Sequence, residues 1–242
     1  MENILIVVIL AVIGPVIGSL IGVIKRPSEL FMFNMLSFAA GVMLAISFLN
    51  LIPESISLSS ILICIIGVVL GAIFMYGLDK SIKHIHPELC SQEQGMRLKK
   101  TAIYLLTGIF LHNFPEGMAM AIGSVSDFKI TLAVALAIAI HNIPEGICTS
   151  APYYHVTGKR MKSFFISSLT AIPILIGFVF AHYLFQNIPL QLVGLIMGAT
   201  AGFMIYISSD ELIPSSCYKV TNHSTIFSLI AGILLVILLG LL

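Results

Sequence analysis

The sequence predicts an all-α, polytopic membrane protein of eight transmembrane helices, and three observations carry that expectation. The 242 residues are 58% hydrophobic and only 10% charged. Soluble domains average about 45–50% and about 25%, so lipid is the expected solvent. The apolar residues also gather into runs close to the ~20 residues that a bilayer core requires: 4–24, 31–52, 58–78, 101–123, 129–151, 163–185, 188–209 and 224–242. Third, the cations gather in the joints between these runs or at a run's first residue, and divide unequally between alternate joints.

The first run opens after Glu2, where a secretory signal would carry Lys or Arg, and it is longer than a signal's apolar region. It therefore reads as span one. The joints that follow carry helix-ending or polar residues: Lys25-Arg26-Pro27, Pro53-Glu54-Ser55, Asp79-Lys80, Ser126-Asp127, Gly158-Lys159-Arg160, Asn187-Ile188-Pro189 and the stretch 217–224. The longest, near 79–100, is too short for a second domain, so residues 1–242 are expected to form a single transmembrane domain.

With eight spans, Lys25, Arg26, Lys80, Lys83, Arg97, Lys99, Lys100, Lys159, Arg160, Lys162 and Lys219 fall on one side, and only Lys129 on the other. The positive-inside rule makes the first side cytoplasmic. The joint near 79–100 is then cytoplasmic, and both termini lie outside the cytoplasm. Net charge is +1, which gives no basis for nucleic-acid binding. Cys64, Cys90, Cys148 and Cys217 are scattered without a CxxC pair and read as apolar filler or free thiols, although Cys148 follows Glu145 by three residues.

Two internal repeats stand out. His112-Asn113-Phe114-Pro115-Glu116-Gly117 in span four recurs as His141-Asn142-Ile143-Pro144-Glu145-Gly146 in span five. The run 40–47 of span two, closing on Leu51-Ile52-Pro53, is matched by 201–208 of span seven, closing on Leu212-Ile213-Pro214. Spans four and five run in opposite directions, as do two and seven. The pairs are therefore inverted, with spans 1–3 related to 6–8. Inverted repeats are a signature of transporters whose substrate site lies near midplane.

On a helix, His112 and Glu116 share one face, as do His141 and Glu145, while Asn113 and Asn142 sit about 100° round. Pro115 and Pro144 each remove a backbone donor and free the carbonyl four residues earlier. Two such helices side by side bring together two imidazoles, two carboxylates and two amides. A charge at a helix centre costs about 2.5–3.5 kcal/mol on insertion scales, so Glu116 and Glu145 require compensation. Hydrogen bonding between helices, a metal-free proton relay and metal ligation all supply it. Duplication of the whole motif favours metal. Imidazole with carboxylate suits zinc, iron(II) and neighbouring first-row ions better than copper(I).

The paired motifs, the eight spans and the longer joint after span three resemble the ZIP family of metal-ion transporters, and within it the ZupT-like bacterial branch. The resemblance implies a multi-pass protein of the cell (inner) membrane. Zn²⁺, with Fe²⁺, Mn²⁺, Co²⁺ and Cd²⁺ as further candidates, would enter the cytoplasm as substrate, with no resident cofactor. It implies His112, Glu116, His141 and Glu145 as primary ligands, Asn113 and Asn142 with the shared glutamates as a second position, and Met43 beside the first. It also implies that spans 1, 4, 5 and 6 move against spans 2, 3, 7 and 8. Two-metal relatives carry a glutamate before a proline in span six. Here Ile172 precedes Pro173, so the second position is expected to be weak or missing.

Asp79, Asp210 and Glu211 lie toward the cytoplasmic end, where a released cation would pass or where a helix end would simply be solvated. Asn50 and Glu54 lie at the outer end of span two, and His84 and His86 in the cytoplasmic joint. The expected partners are membrane lipid and divalent metal ions; pairing with a second copy stays open. The rival from another class is a membrane-embedded zinc metallohydrolase, but no HExxH occurs.

Overall fold

The computed structural model of the chain describes residues 2–25, 28–81, 113–114, 116–118, 120–121, 128–184, 189–217 and 223–240. Every regular element among them is helical: α1 (Glu2–Ile24), α2 (Glu29–Ile46), α3 (Ile52–Leu58), α4 (Ile61–Ser81), α5 (Phe128–Thr157), α6 (Arg160–Ser168), α7 (Ala171–Leu184), α8 (Leu190–Ile207), α9 (Ile213–Cys217) and α10 (Ser224–Leu239). Two π-turns, Ser47–Leu51 and Ser208–Leu212, join α2 to α3 and α8 to α9. The segments 6–24, 33–58, 160–183 and 190–216 are long and apolar enough to cross a membrane, and Ile61–Gly77 and Ser224–Leu238 are shorter apolar helices. Residues 113–114, 116–118 and 120–121 are helical. The rest of span four and most of the joint 79–100 lie outside the described residues.

Two boundaries differ from expectation, and proline is the reason for both. Pro53 and Pro214 read as span ends, yet the helices run on to Leu58 and Cys217. A proline ring clashes with the carbonyl four residues earlier. Each π-turn widens the helix at that point, and the next amide reaches one residue further back: Ile52 N–H bonds the Ser47 carbonyl, and Ile213 N–H that of Ser208. The chain direction changes instead at Ser59–Ser60. Conversely, span six is one apolar run in sequence but breaks at Leu169–Thr170, between α6 and α7. Pro173 cannot bond the Leu169 carbonyl, which accepts from Ile172 N–H at 3.0 Å in a tighter turn.

Apolar residues cover both the inside and the outside. Ile61, Leu62, Ile65, Val69, Ile73 and Phe74 make an exposed face along α4, a patch that water would penalise and lipid accepts. Without a hydrophobic drive between helices in lipid, close backbone approach at small residues holds such bundles together. The glycines show where that happens. A Cβ on Gly14, Gly18 or Gly22 of α1 would meet Ala139, Ile143 or Ile147 of α5, so these helices run parallel. Gly67 and Gly71 of α4 lie against Leu195 and Ala199 of α8, again parallel. Gly41 and Gly232 bring α2 and α10 together, and Gly117 and Gly177 bring the 113–121 segment against α7.

These contacts recur at fixed sequence offsets. Gly41 on Leu229 and Gly202 on Val68 are the same contact shifted by 161 positions at both partners, as are Gly232 on Phe38 and Gly71 on Ala199. The two π-turns share that offset. Gly18 on Ile143 and Gly177 on Phe114 repeat at offsets of 159 and 29, as do Gly146 on Pro15 and Gly117 on Ile174.

Candidate metal-transport site

The four described polar members of the two motifs are all removed from solvent. Asn113, Glu116 and Asn142 are 0% exposed and Glu145 is 2% exposed. His112 lies outside the described residues, and of His141 only its place in α5 is described. Pro144 sits within α5, which continues unbroken through it. Met43, fully buried, belongs to the same apolar core as Met118, Met120 and Ile138. Among the described residues no three His, Cys, Asp or Glu side chains come together.

Both motifs are tied to the junction between α6 and α7. Asn113 Nδ2 donates to the Thr170 carbonyl at 2.7 Å, and Asn113 Oδ1 is buried without a hydrogen bond. Ser167 Oγ donates to the Gly146 carbonyl at 3.2 Å and lies 2.6 Å from Ser19 Oγ of α1. Thr149 Oγ1, in hydrogen-bond contact with Ser167 Oγ, also lies 3.1 Å from the Glu145 carbonyl. Asn142 has neither amide atom hydrogen-bonded. Buried amides are ordinarily satisfied, and the three amide atoms without a hydrogen bond belong to the same two motifs as the buried Glu116 and Glu145. Oδ1 is the atom by which an amide ligates a cation.

Ile172 is 41% exposed and adds no ligand; its buried neighbour Thr170 is the residue that meets motif one. Asp210 is exposed and Glu211 half-buried in the second π-turn, while Asp79 is described only as part of α4. Asn50 and Glu54 are half-buried around the first π-turn. His84 and His86 lie outside the described residues. Cys64 is buried with its thiol 3.8 Å from the Ile52 carbonyl, as filler would be; of Cys148 only the place in α5 is described. Sequence reasoning missed Ser19, Thr149, Ser167 and Thr170. Their signal was small hydroxyls within apolar spans, facing residues already singled out.

Long apolar helices with an apolar outer face and buried carboxylates between them are the features of a helical membrane protein. Comparison with known proteins gives the class its name. The family model described as "ZIP Zinc transporter" matches residues 83–240. The chain is 32% identical over 237 residues to the "Zinc transporter ZupT" of Salmonella heidelberg (strain SL476), covering 94% of this chain and 92% of that protein. The same protein of Salmonella newport (strain SL254) and of Salmonella agona (strain SL483) matches to the same extent. The chain belongs to the ZIP family.

Proposed function

We propose that this protein carries divalent metal ions, Zn²⁺ foremost, across the cell (inner) membrane into the cytoplasm. The ion passes a primary site made by His112 and Glu116 on one helix and His141 and Glu145 on the next, with Met43 beside it and with Asn113 and Asn142, sharing the glutamates, at a second position. The observation that carries the reading is the burial of Glu116 and Glu145 beside unsatisfied Asn113 and Asn142 atoms, inside a chain whose relatives are named as zinc transporters. Those relatives are transporters and not enzymes, so the metallohydrolase reading falls away. Fe²⁺, Mn²⁺, Co²⁺ and Cd²⁺ are the further candidates, because ligand type alone does not choose among them.

Residues 1–242 form one transmembrane domain of eight spans, with the cytoplasmic joint near 79–100 and both termini outside. The parallel course of α1 and α5 supports the count: with α1, α2–α3 and α4 alternating, an odd number of crossings separates α4 from α5. The constant offsets of the glycine contacts and π-turns support the inverted relation of spans 1–3 to 6–8 and of four to five. Every described close approach of a glycine to another helix falls within one of two groups, spans 1, 4, 5 and 6 or spans 2, 3, 7 and 8. Backbones pressed together resist sliding, whereas side-chain contacts between the groups allow it. That partition supports motion of one bundle against the other, delivering the ion to Asp79, Asp210 and Glu211.

Zinc binding in detergent by equilibrium dialysis tests the site. One tight Zn²⁺ per chain is expected, with any second ion at least about tenfold weaker because Ile172 supplies no carboxylate. Two equally tight ions, or a tight ion retained in the His112→Ala/His141→Ala double variant, would overturn the assignment.

A further inference from the structure

We propose that the broken turn Ser167–Thr170 is a positioning device that fixes the Asn113 half of the site and leaves the Asn142 half adjustable; this rests on the metal-transport reading above. The break arises from Pro173, which leaves the Leu169 carbonyl to a three-residue turn. Within that turn Thr170 Oγ1 donates to the Ser167 carbonyl at 2.7 Å, closing it on itself. From one end it reaches motif one, where the Thr170 carbonyl holds Asn113 Nδ2 at 2.7 Å. From the other it reaches motif two, where Ser167 Oγ donates to the carbonyl of Gly146, the residue after Glu145. Ser19 and Ser167 link the same turn to α1. Ser19, Asn113, Ser167 and Thr170 are all buried, so the bonds between them and to Gly146 are made without competition from water. The separation of the two motifs is set by four residues at the end of α6 and in the break before α7.

The internal repeat shows what the device adds. At the offset of 159 that relates α1 to α7 contacts, Ser167 and Thr170 correspond to Val8 and Ala11. These have no hydroxyl, and α1 runs through them without a break. Asn142, the counterpart of Asn113, has no hydrogen bond at either amide atom. An anchored Asn113 presents Oδ1 in one orientation. An unanchored Asn142 turns its amide at little cost. A site with one fixed and one turning amide grips an ion without trapping it, and conduction requires binding weak enough to release.

Zinc and cadmium uptake by proteoliposomes of Ser167→Ala, Pro173→Ala and Ser167→Thr tests the proposal, normalised to protein folded by size-exclusion chromatography. Loss of one anchoring bond is expected to raise KM for Zn²⁺ about three- to tenfold, with Vmax within about twofold. The discrimination of Zn²⁺ over Cd²⁺ is expected to fall in both Ser167→Ala and Pro173→Ala, and Ser167→Thr, which keeps the hydroxyl, is expected to leave both quantities at wild-type values. Wild-type KM and discrimination in the folded alanine variants, or a fall in Vmax alone, would overturn the device. Glu145→Ala run alongside separates the two levels. If it abolishes uptake while Ser167→Ala behaves as wild type, only the positioning role fails; if it transports normally, the metal site itself fails.

Discussion

Ser47 and Ser208 open the two π-turns 161 positions apart and differ in one bond: Ser47 Oγ donates to the Met43 carbonyl at 2.8 Å, whereas the Ser208 hydroxyl, equally buried, has no partner. A buried hydroxyl left unsatisfied costs about 1–3 kcal/mol. Ser208→Ala is therefore expected to raise the detergent Tm, with a gain of up to about 1 kcal/mol, and Ser47→Ala to leave it level or lower it slightly. Thermal unfolding of the two variants side by side checks this; a lower Tm for Ser208→Ala would show that the hydroxyl has a partner after all.

The glycine contacts predict a sharp contrast among substitutions of one kind. A Cβ at Gly18 or Gly177 would run into the carbonyl of Ile143 or Phe114, and backbone does not yield as a side chain does. Overpacking of this sort costs about 1–3 kcal/mol. At Gly77, also helical, nothing lies within 4 Å of an added Cβ. Gly77→Ala is expected to gain up to about 1 kcal/mol from helix propensity. Equal yields of folded protein from all three alanine variants would refute the bundle partition.

The packing role of Met43 and its proposed place beside the metal are separated by substitution. It is fully buried in the common core, so Met43→Ala is expected to cost about 2–5 kcal/mol. Met43→Leu conserves volume and is expected to cost less than about 1.5 kcal/mol, yet it removes the thioether. Cadmium, the softer ion, should lose more from that change than zinc. An unchanged ratio of cadmium to zinc uptake in Met43→Leu would assign Met43 to packing alone.

Acid should weaken capture. At the proposed site the metal binds neutral imidazole and ionised carboxylate, so protons compete with it, and free imidazole titrates at about 6.5. The apparent KM for zinc is therefore expected to rise as pH falls from about 7 to about 5. Initial uptake rates across that range, with no imposed proton gradient, decide the matter; a KM that falls steadily toward acid would contradict the ligand set.

Much of this molecule is legible in its sequence, for identifiable reasons. Apolar runs must be long to cross lipid, and cations avoid it, so the helical segments announce themselves. The duplicated His-Asn-x-Pro-Glu-Gly draws attention because charge within a span is costly. Gly14, Gly18 and Gly22, spaced by four, mark one face of α1, though the partner helix is not written there. What stays hidden depends on backbone detail. Pro53 and Pro214 read as stops, and only the π-turns show that the helix absorbs them. Pro173 reads as one more intramembrane proline, yet there the helix breaks and the Thr170 carbonyl meets Asn113. Thr149 and Ser167 carry no motif; their role follows from which carbonyls lie opposite.

The central claim, that metal crosses the membrane through the paired motifs, is tested most directly by zinc flux into proteoliposomes containing wild type, His112→Ala or Glu145→Ala protein. The account predicts saturable flux in the wild type, inhibited by competing cadmium, and flux at the protein-free background in both variants. Unchanged flux in both variants would contradict the ligand assignment, and a folded wild type that carries no divalent metal would contradict transport itself.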